Sequence, residues 1–218
     1  IDFLLAYLLY YGMQVFGIVG WAGSGKDTVA NYLVQDHNFR QVSFAAPLKD
    51  AVAKIFHWPR NLLEGDTKES REWRETVDNW WSKRLDIPNF TPRKALQLWG
   101  TDVGRRAFHD DIWIASLEYF LDGQPGSRFV VSDCRFPNEI KMIESLGGAT
   151  IRIHRGPAPE WSKIEYEDIN DLRRHMSKYE PSVHASEYEW TLHKHKFEID
   201  NNGTLDDLRD RVSVIVES

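Results

Sequence analysis

Cysteine is nearly absent: Cys134 is the only one in 218 residues, which excludes an intrachain disulfide framework and suits a reducing cytosol. Long apolar runs are missing too. The segment Ile1 to Gly12 is apolar but too short to span a bilayer, and it lacks the basic n-region and clear cleavage site of a secretory signal. Met13 is read as the functional start and residues 1–12 as a leader added to it; a genuine extra element packed on the domain is the alternative. Neither implies secretion or a membrane partner. Positive charge is not in excess, and a net charge of −6 argues against a general electrostatic grip on duplex nucleic acid, leaving open a local basic cleft. No internal repeat or low-complexity tract occurs. The histidines His154, His175, His184, His193 and His195 lack the cysteines or acids that would complete a metal set, so solvated side chains are the expectation.

What is present begins at Gln14-Val-Phe-Gly-Ile-Val-Gly20-Trp-Ala-Gly-Ser-Gly25-Lys26-Asp27-Thr28. An apolar strand runs into a glycine-rich loop, a lysine and then a helix. Gly20-x-x-x-x-Gly25-Lys26 matches the phosphate-cradling P-loop, in which backbone N–H groups and the helix N-terminus face polyphosphate. Gly20, Ala22, Gly23, Ser24, Gly25, Lys26, Asp27 and Thr28 are therefore expected to bind a nucleotide, with Lys26 reaching the β- and γ-phosphates. The usual hydroxyl after the lysine is replaced by Asp27, and a hydroxyl follows at Thr28. Either oxygen suits Mg²⁺; the alternative is that Asp27 is only a favourable acid in the first helical turn.

The remaining punctuation predicts alternating strands and helices: strands at 15–19, 41–44, 128–132, 149–154 and 196–199, and helices after Gly25 and at 47–56, 69–83, 92–99, 110–121, 137–146 and 205–216. Pro47 and Pro92 suit the first helical position, and Thr91 and Thr204 suit N-caps. This pattern predicts a three-layer α/β domain, with about five parallel strands covered by helices and ligands at the strands' carboxyl ends. Two stretches interrupt it: a helical insertion over about 49–122, and a polar, irregular connection over about 155–194 of the length that usually carries function. The insertion is rich in tryptophan (Trp58, Trp73, Trp80, Trp81, Trp99, Trp113). Packing is the favoured reading, and a nucleobase pocket lined by one or two of them is the sharper one.

Three constellations carry chemistry. Asp133, just past the third strand, stands where a Walker-B-type carboxylate orders Mg²⁺ or accepts a proton, and Arg135 beside it can grip a phosphate; a surface Asp–Arg turn is the bland alternative. Arg93 and Gln97 share a helix face, suited to a phosphate and a base edge or to simple solvation. Lys49 is a similar candidate beyond the second strand.

These residues, in order, resemble the deoxynucleoside monophosphate kinases of tailed bacteriophages, within the P-loop nucleoside monophosphate kinase fold. The match is carried by Gly23-Ser-Gly-Lys-Asp-Thr28, Ala46-Pro-Leu-Lys-Asp50, Arg93-Lys-Ala-Leu-Gln-Leu-Trp-Gly-Thr-Asp102, Asp111-Ile-Trp113, Asp133-Cys-Arg135 with Glu139, His184-Ala-Ser-Glu187 and Ile199-Asp-Asn-Asn-Gly-Thr-Leu205. The resemblance implies ATP- and Mg²⁺-dependent phosphorylation of deoxynucleoside monophosphates in the cytoplasm, in an infected cell if the gene is a phage's. It places Lys49, Arg93, Gln97, Trp113, Asp133, Arg135 and Glu139 at the acceptor, Asn201 and Asn202 at an adenine-side loop, and Arg155, Arg173 or Arg174 in a lid over 155–194. Lys26, Asp133 and Arg135 would be catalytic, Asp27 and Thr28 the metal's oxygen donors. The resemblance also allows a homodimer.

Two rivals remain at this stage. A kinase of hydroxymethyluracil within DNA would have an alcohol as acceptor and need Asp133 as a base. A P-loop switch module would work through partners; no guanine-reading Asn-Lys-x-Asp follows a strand, since Asp200-Asn-Asn-Gly203 does not match.

Overall fold

Five short segments become the strands of one sheet: β1 (Gln14–Val19), β2 (Arg40–Val42), β3 (Arg128–Val131), β4 (Ala149–His154) and β5 (Phe197–Asp200). This is a computed structural model that describes residues 13–124 and 126–218; the expected leader lies outside the described residues. The strand order is β2-β3-β1-β4-β5, and every pairing is parallel. Burial on both faces of β1 and β3 explains why these two read as near-continuous runs of Val, Ile and Phe. Connections pass to one side of β1 and then to the other, so the crevice at the carboxyl end of β1 is a topological switch point. The glycine loop, Asp133, Arg155 and Asn201 all follow strand ends there.

Helices α1 (Lys26–His37) and α9 (Leu205–Glu217) share one core with the sheet. Val29, Ala30 and Leu33 of the first, and Leu208, Val212 and Ile215 of the second, pack with Phe16, Ile18, Val130, Ile151, Ile153 and Ile199. Spacings of three and four put each trio on one helix face, and each large side chain so buried contributes roughly 1.5–3 kcal/mol. Thr204 caps α9 as expected, accepting from Asp207 N–H at 3.1 Å.

Residues 44–117 form a compact unit of their own. It holds α2 (Ala46–Phe56), α3 (Lys68–Glu75), α4 (Asn79–Leu85), α5 (Pro92–Gln97) and the first part of α6 (Ile112–Asp122). Its core is aromatic: the Phe56 ring stacks on Trp58 at 4.5 Å and meets Trp81 edge-on at 4.9 Å, with Trp73, Trp99 and Trp113 packed around. Packing therefore accounts for these tryptophans, while Trp80 is exposed.

Three expectations about elements need correction. The single helix expected over 69–83 is two, because Asp78 accepts from Trp81 N–H at 3.0 Å and from Trp58 Nε1 at 2.9 Å; this cap starts a new helix rather than continuing the old. The helix expected to end at Trp99 is capped by Thr91 as foreseen but winds on as a π-helix from Leu98 to Phe108. There Trp113 Nε1 donates to Gly100 O at 2.9 Å, and a Cβ on Gly104 would stand 2.6 Å from the Trp113 ring. The connection over 155–194 is not irregular: it contains α8 (Ile169–Tyr179), capped by Asp168, with Leu172 and Met176 packed on Trp161 and Tyr188. Its apolar stripe is only two residues wide, too weak to read among so many charges. No described helix is long and apolar enough to cross a membrane.

Candidate active site

The loop between β1 and α1 takes its shape from glycine. Gly20, Gly23 and Gly25 have φ of 149°, 77° and 103°, which side-chain-bearing residues rarely adopt. A Cβ on Gly20 would stand 2.7 Å from Ile153 O, and one on Gly25 would stand 2.3 Å from Asn201 Nδ2, whereas nothing lies within 4 Å at Gly23. Lys26 Nζ donates to the loop's own carbonyls, Gly20 O at 2.7 Å and Trp21 O at 2.9 Å. Burial, and after it the Arg135 guanidinium, lowers the Lys26 pKa from its ordinary value, with Glu187 and Asp27 pulling the other way. Ser24 Oγ is buried without a hydrogen-bond partner. Asp27 is exposed and Thr28 half-buried at the first turn.

At the end of β3, Asp133 Oδ2 accepts from Ser43 Oγ at 2.6 Å. Glu139 is buried in the first turn of α7 (Pro137–Ser145), and its Oε2 accepts from the N–H groups of Arg135 at 2.7 Å and Phe136 at 3.1 Å. It thereby fixes the turn that carries Arg135. Arg135 Nη1 reaches Glu187 Oε1 at 3.2 Å and Ser186 Oγ at 3.4 Å. Asn201 is buried beneath the glycine loop, with Nδ2 donating to Ser24 O at 2.8 Å, and Asn202 Oδ1 accepts from Gly156 N–H at 2.8 Å.

The three lid arginines differ in kind. Arg173 grips the buried Glu189 with two nitrogens, at 2.6 and 2.8 Å. Arg174 reaches Asp171 at 3.3 Å on the helix surface. Arg155 is exposed and makes no side-chain hydrogen bond or ion pair with the described residues. Within the helical unit, Lys49 Nζ donates to Glu64 Oε2 at 2.6 Å, Arg93 is paired with Glu75, Gln97 is exposed, and Trp113 is held at Gly100 as described above.

Comparison with known proteins now decides the family. A putative deoxynucleotide monophosphate kinase of Acanthamoeba polyphaga mimivirus is 34% identical over 157 residues, covering 66% of this chain and 75% of that protein. The chain belongs to the deoxynucleoside monophosphate kinase family. A second member, the deoxynucleoside-5′-monophosphate kinase of Escherichia phage T5, is 29% identical over 175 residues, covering 58% of this chain and 70% of its own. No family model matches. Among solved structures, dephospho-CoA kinase from Campylobacter jejuni is 19% identical with a TM-score of 0.44, covering 94% of this chain and 96% of its own. Shikimate kinase from Aquifex aeolicus is 11% identical with a TM-score of 0.46, covering 93% and 96%. These likenesses are too distant to carry an argument, and the P-loop kinase fold rests on the sheet order and the glycine loop.

In this family member, the sheet brings together Lys26, Asp27, Asp133, Arg135, Glu139, Arg155 and Asn201 at one end of its strands, while Lys49, Arg93, Gln97 and Trp113 belong to the helical unit. Sequence reading assigned no role to Ser43, Ser186 or Glu187. The signal for the last two was the His184-Ala-Ser-Glu187 segment. Ser43 carried none, because its partner lies ninety residues away.

Proposed function

We propose that this chain transfers the γ-phosphoryl group of ATP to a deoxynucleoside 5′-monophosphate, a phosphate-group acceptor, giving ADP and the diphosphate. The observation that carries the reading is the glycine loop with Lys26 at the carboxyl end of the central strand, flanked by Asp133 and Arg135 at the end of β3, in a member of this family. An oxygen of the acceptor's phosphate attacks the γ-phosphorus as the bond to the β–γ bridging oxygen breaks, and the electron pair leaves with ADP. That nucleophile needs no strong base, so Asp133 orders ligands rather than abstracting a proton.

The residues fit polyphosphate: the backbone cradle at Gly20 and Gly25 has no room for side chains, and Lys26 needs only to leave two loop carbonyls to meet phosphate. Asp27 and Thr28 offer the oxygen donors that Mg²⁺ takes, and the ion would neutralise charge on the phosphates. Arg135 grips a phosphate from the side of β3. Lys49, Arg93, Gln97 and Trp113 are assigned to the acceptor's phosphate and base, and Glu139 to holding the Arg135 turn. Residues 155–194 serve as the lid, with Arg155 as its phosphate-seeking arginine because Arg173 is committed to Glu189. Closure would exclude water that otherwise hydrolyses ATP.

The test is to incubate the protein with labelled ATP, Mg²⁺ and each deoxynucleoside monophosphate separately. Label in one or more diphosphates, abolished in Lys26→Ala, is expected. Label that enters only hydroxymethyluracil-containing DNA, or phosphate released without any acceptor, would overturn the assignment.

A further inference from the structure

Two acid–base pairs follow β3 and β4 and differ in build. Arg173 meets Glu189 through two nitrogens, and the Glu189 side chain is only 8% exposed. Such a bidentate pair on a buried acid is a permanent strut, since separating it strands a buried charge. Arg135 meets Glu187 through one nitrogen at 3.2 Å, with the two side chains 42% and 34% exposed. A pair of that kind has little net stability in water and separates easily.

The acid's position is nonetheless built. Glu187 closes a short 3-10 turn, Ala185–Glu187, that follows His184. His184 Nδ1 accepts from Ser186 N–H at 3.3 Å and lies 3.0 Å from Ser186 Oγ. The turn therefore presents a hydroxyl and a carboxylate together to Arg135 Nη1. Lys26 feels both Arg135 and Glu187, so the carboxylate stands between two cations beside the glycine loop, where Asp27 is the other acid that acts on Lys26.

The geometry points to Glu187 as a resident stand-in for phosphate: its carboxylate occupies Arg135 in the resting protein and is displaced when a phosphate group of the nucleotide arrives. The inference rests on the reading of Arg135 as a phosphate-gripping residue. Carboxylate and phosphate both offer anionic oxygens to a guanidinium, and phosphate, with more charge and more oxygens, takes the contact. The exchange keeps Arg135 aimed at the loop before substrate binds. It also spares Lys26 and Arg135 an uncompensated mutual repulsion, and it sets a threshold that a ligand without a phosphate does not pass. Glu187 is a positioning residue under this assignment, acting through Arg135.

Calorimetric titration with inorganic pyrophosphate tests it on the whole chain, using wild type, Glu187→Gln, Arg135→Gln and the double variant, each checked for fold by circular dichroism. Removing the resident competitor should tighten pyrophosphate binding roughly threefold to tenfold in Glu187→Gln, and the gain should vanish when Arg135 is already glutamine. Glu187→Asp, whose shorter arm loses the contact while keeping the charge, should show part of the gain and serves if the glutamine variant does not fold. Unchanged or weaker binding in the position-187 variants overturns the inference, as does an equal gain without Arg135, which would mean a general field effect. Phosphoryl transfer by the wild type is scored separately. Its absence counts against the kinase assignment and leaves the displacement result standing.

Discussion

Asn201 lies directly beneath Gly25: its Nδ2 donates to Ser24 O at 2.8 Å, and a Cβ on Gly25 would stand 2.3 Å from that same nitrogen. The last strand of the sheet thus sets the height of the phosphate loop, although 177 residues separate the two partners. Gly25→Ala combines this clash with a φ of 103°. It should lose measurable binding of a non-hydrolysable ATP analogue and about 1–3 kcal/mol of stability, seen by titration and by denaturant unfolding. Analogue binding close to wild type would show that the loop can shift without loss.

Asn201 itself can be tested from the other side. In Asn201→Ala the buried Ser24 carbonyl loses a donor, which typically costs about 1–3 kcal/mol. The ATP KM should rise while acceptor KM stays near its wild-type value, because only the donor loop has lost support. Equal effects on both substrates would argue that Asn201 supports the whole sheet edge rather than the loop.

Local chemistry was legible in the sequence and long-range placement was not. Gly20, Gly25 and Lys26 announced the loop because each follows from backbone geometry within a dozen residues, and Thr91 and Thr204 announced their helices for the same reason. The sheet could be read because β1 and β3 are apolar runs and β4 places Ala149, Ile151 and Ile153 at alternate positions. Asp78 escaped because a capping acid inside a polar helix looks like any surface acid until its Trp58 partner is known. The π-helix after Gln97 escaped because its stability comes from Trp113 fitting against Gly100 and Gly104, a tertiary fit with no local signature. Asn201 was singled out only by resemblance, and its place under the loop depends on a contact that the fold creates.

Asp133 and its hydroxyl partner separate two chemical roles. Asp133→Asn should reduce kcat by at least about a hundredfold while ATP still binds, if the charge orders ligands around the transferring group. Ser43→Ala, which removes the 2.6 Å hydrogen bond to Oδ2, should cost kcat much less, about threefold to tenfold. Steady-state kinetics with both substrates varied checks this. Near-normal turnover in the asparagine variant would remove Asp133 from the machinery.

Arg155 and Arg173 should give opposite signatures. Arg155 is exposed and unengaged among the described residues, so Arg155→Ala should leave the unfolding midpoint unchanged and lower kcat by roughly a hundredfold, as loss of a phosphate-stabilising cation does. Arg173→Ala strands the buried Glu189 carboxylate and should destabilise the protein by about 3–5 kcal/mol. Parallel denaturation and kinetics distinguish them. A silent Arg155 variant would return the lid role to Arg174.

His195 supplies a pH dependence of stability whose sign can be worked out. Its ring lies 3.0 Å from Thr150 Oγ1 through Nδ1, with Nε2 buried and unpartnered. Burial first, then the nearby His193 and Arg152, lowers its pKa from 6.5 to about 4, against smaller upward pulls from the Trp190 backbone and then Glu198. The unfolded chain therefore holds more protons than the folded one between those values. Stability from this residue is fully present above pH 6.5 and is lost as pH falls towards 4, in total on the order of 2 kcal/mol once solvent screening of the partly exposed ring is included. His193 also lies 2.9 Å from Glu144. Urea midpoints measured at pH 7, 6 and 5 should fall steeply for wild type. His195→Gln, which keeps a partner for Thr150 and cannot take up a proton, should start lower at pH 7 and fall less. Parallel slopes for the two proteins would assign the acid sensitivity to another group.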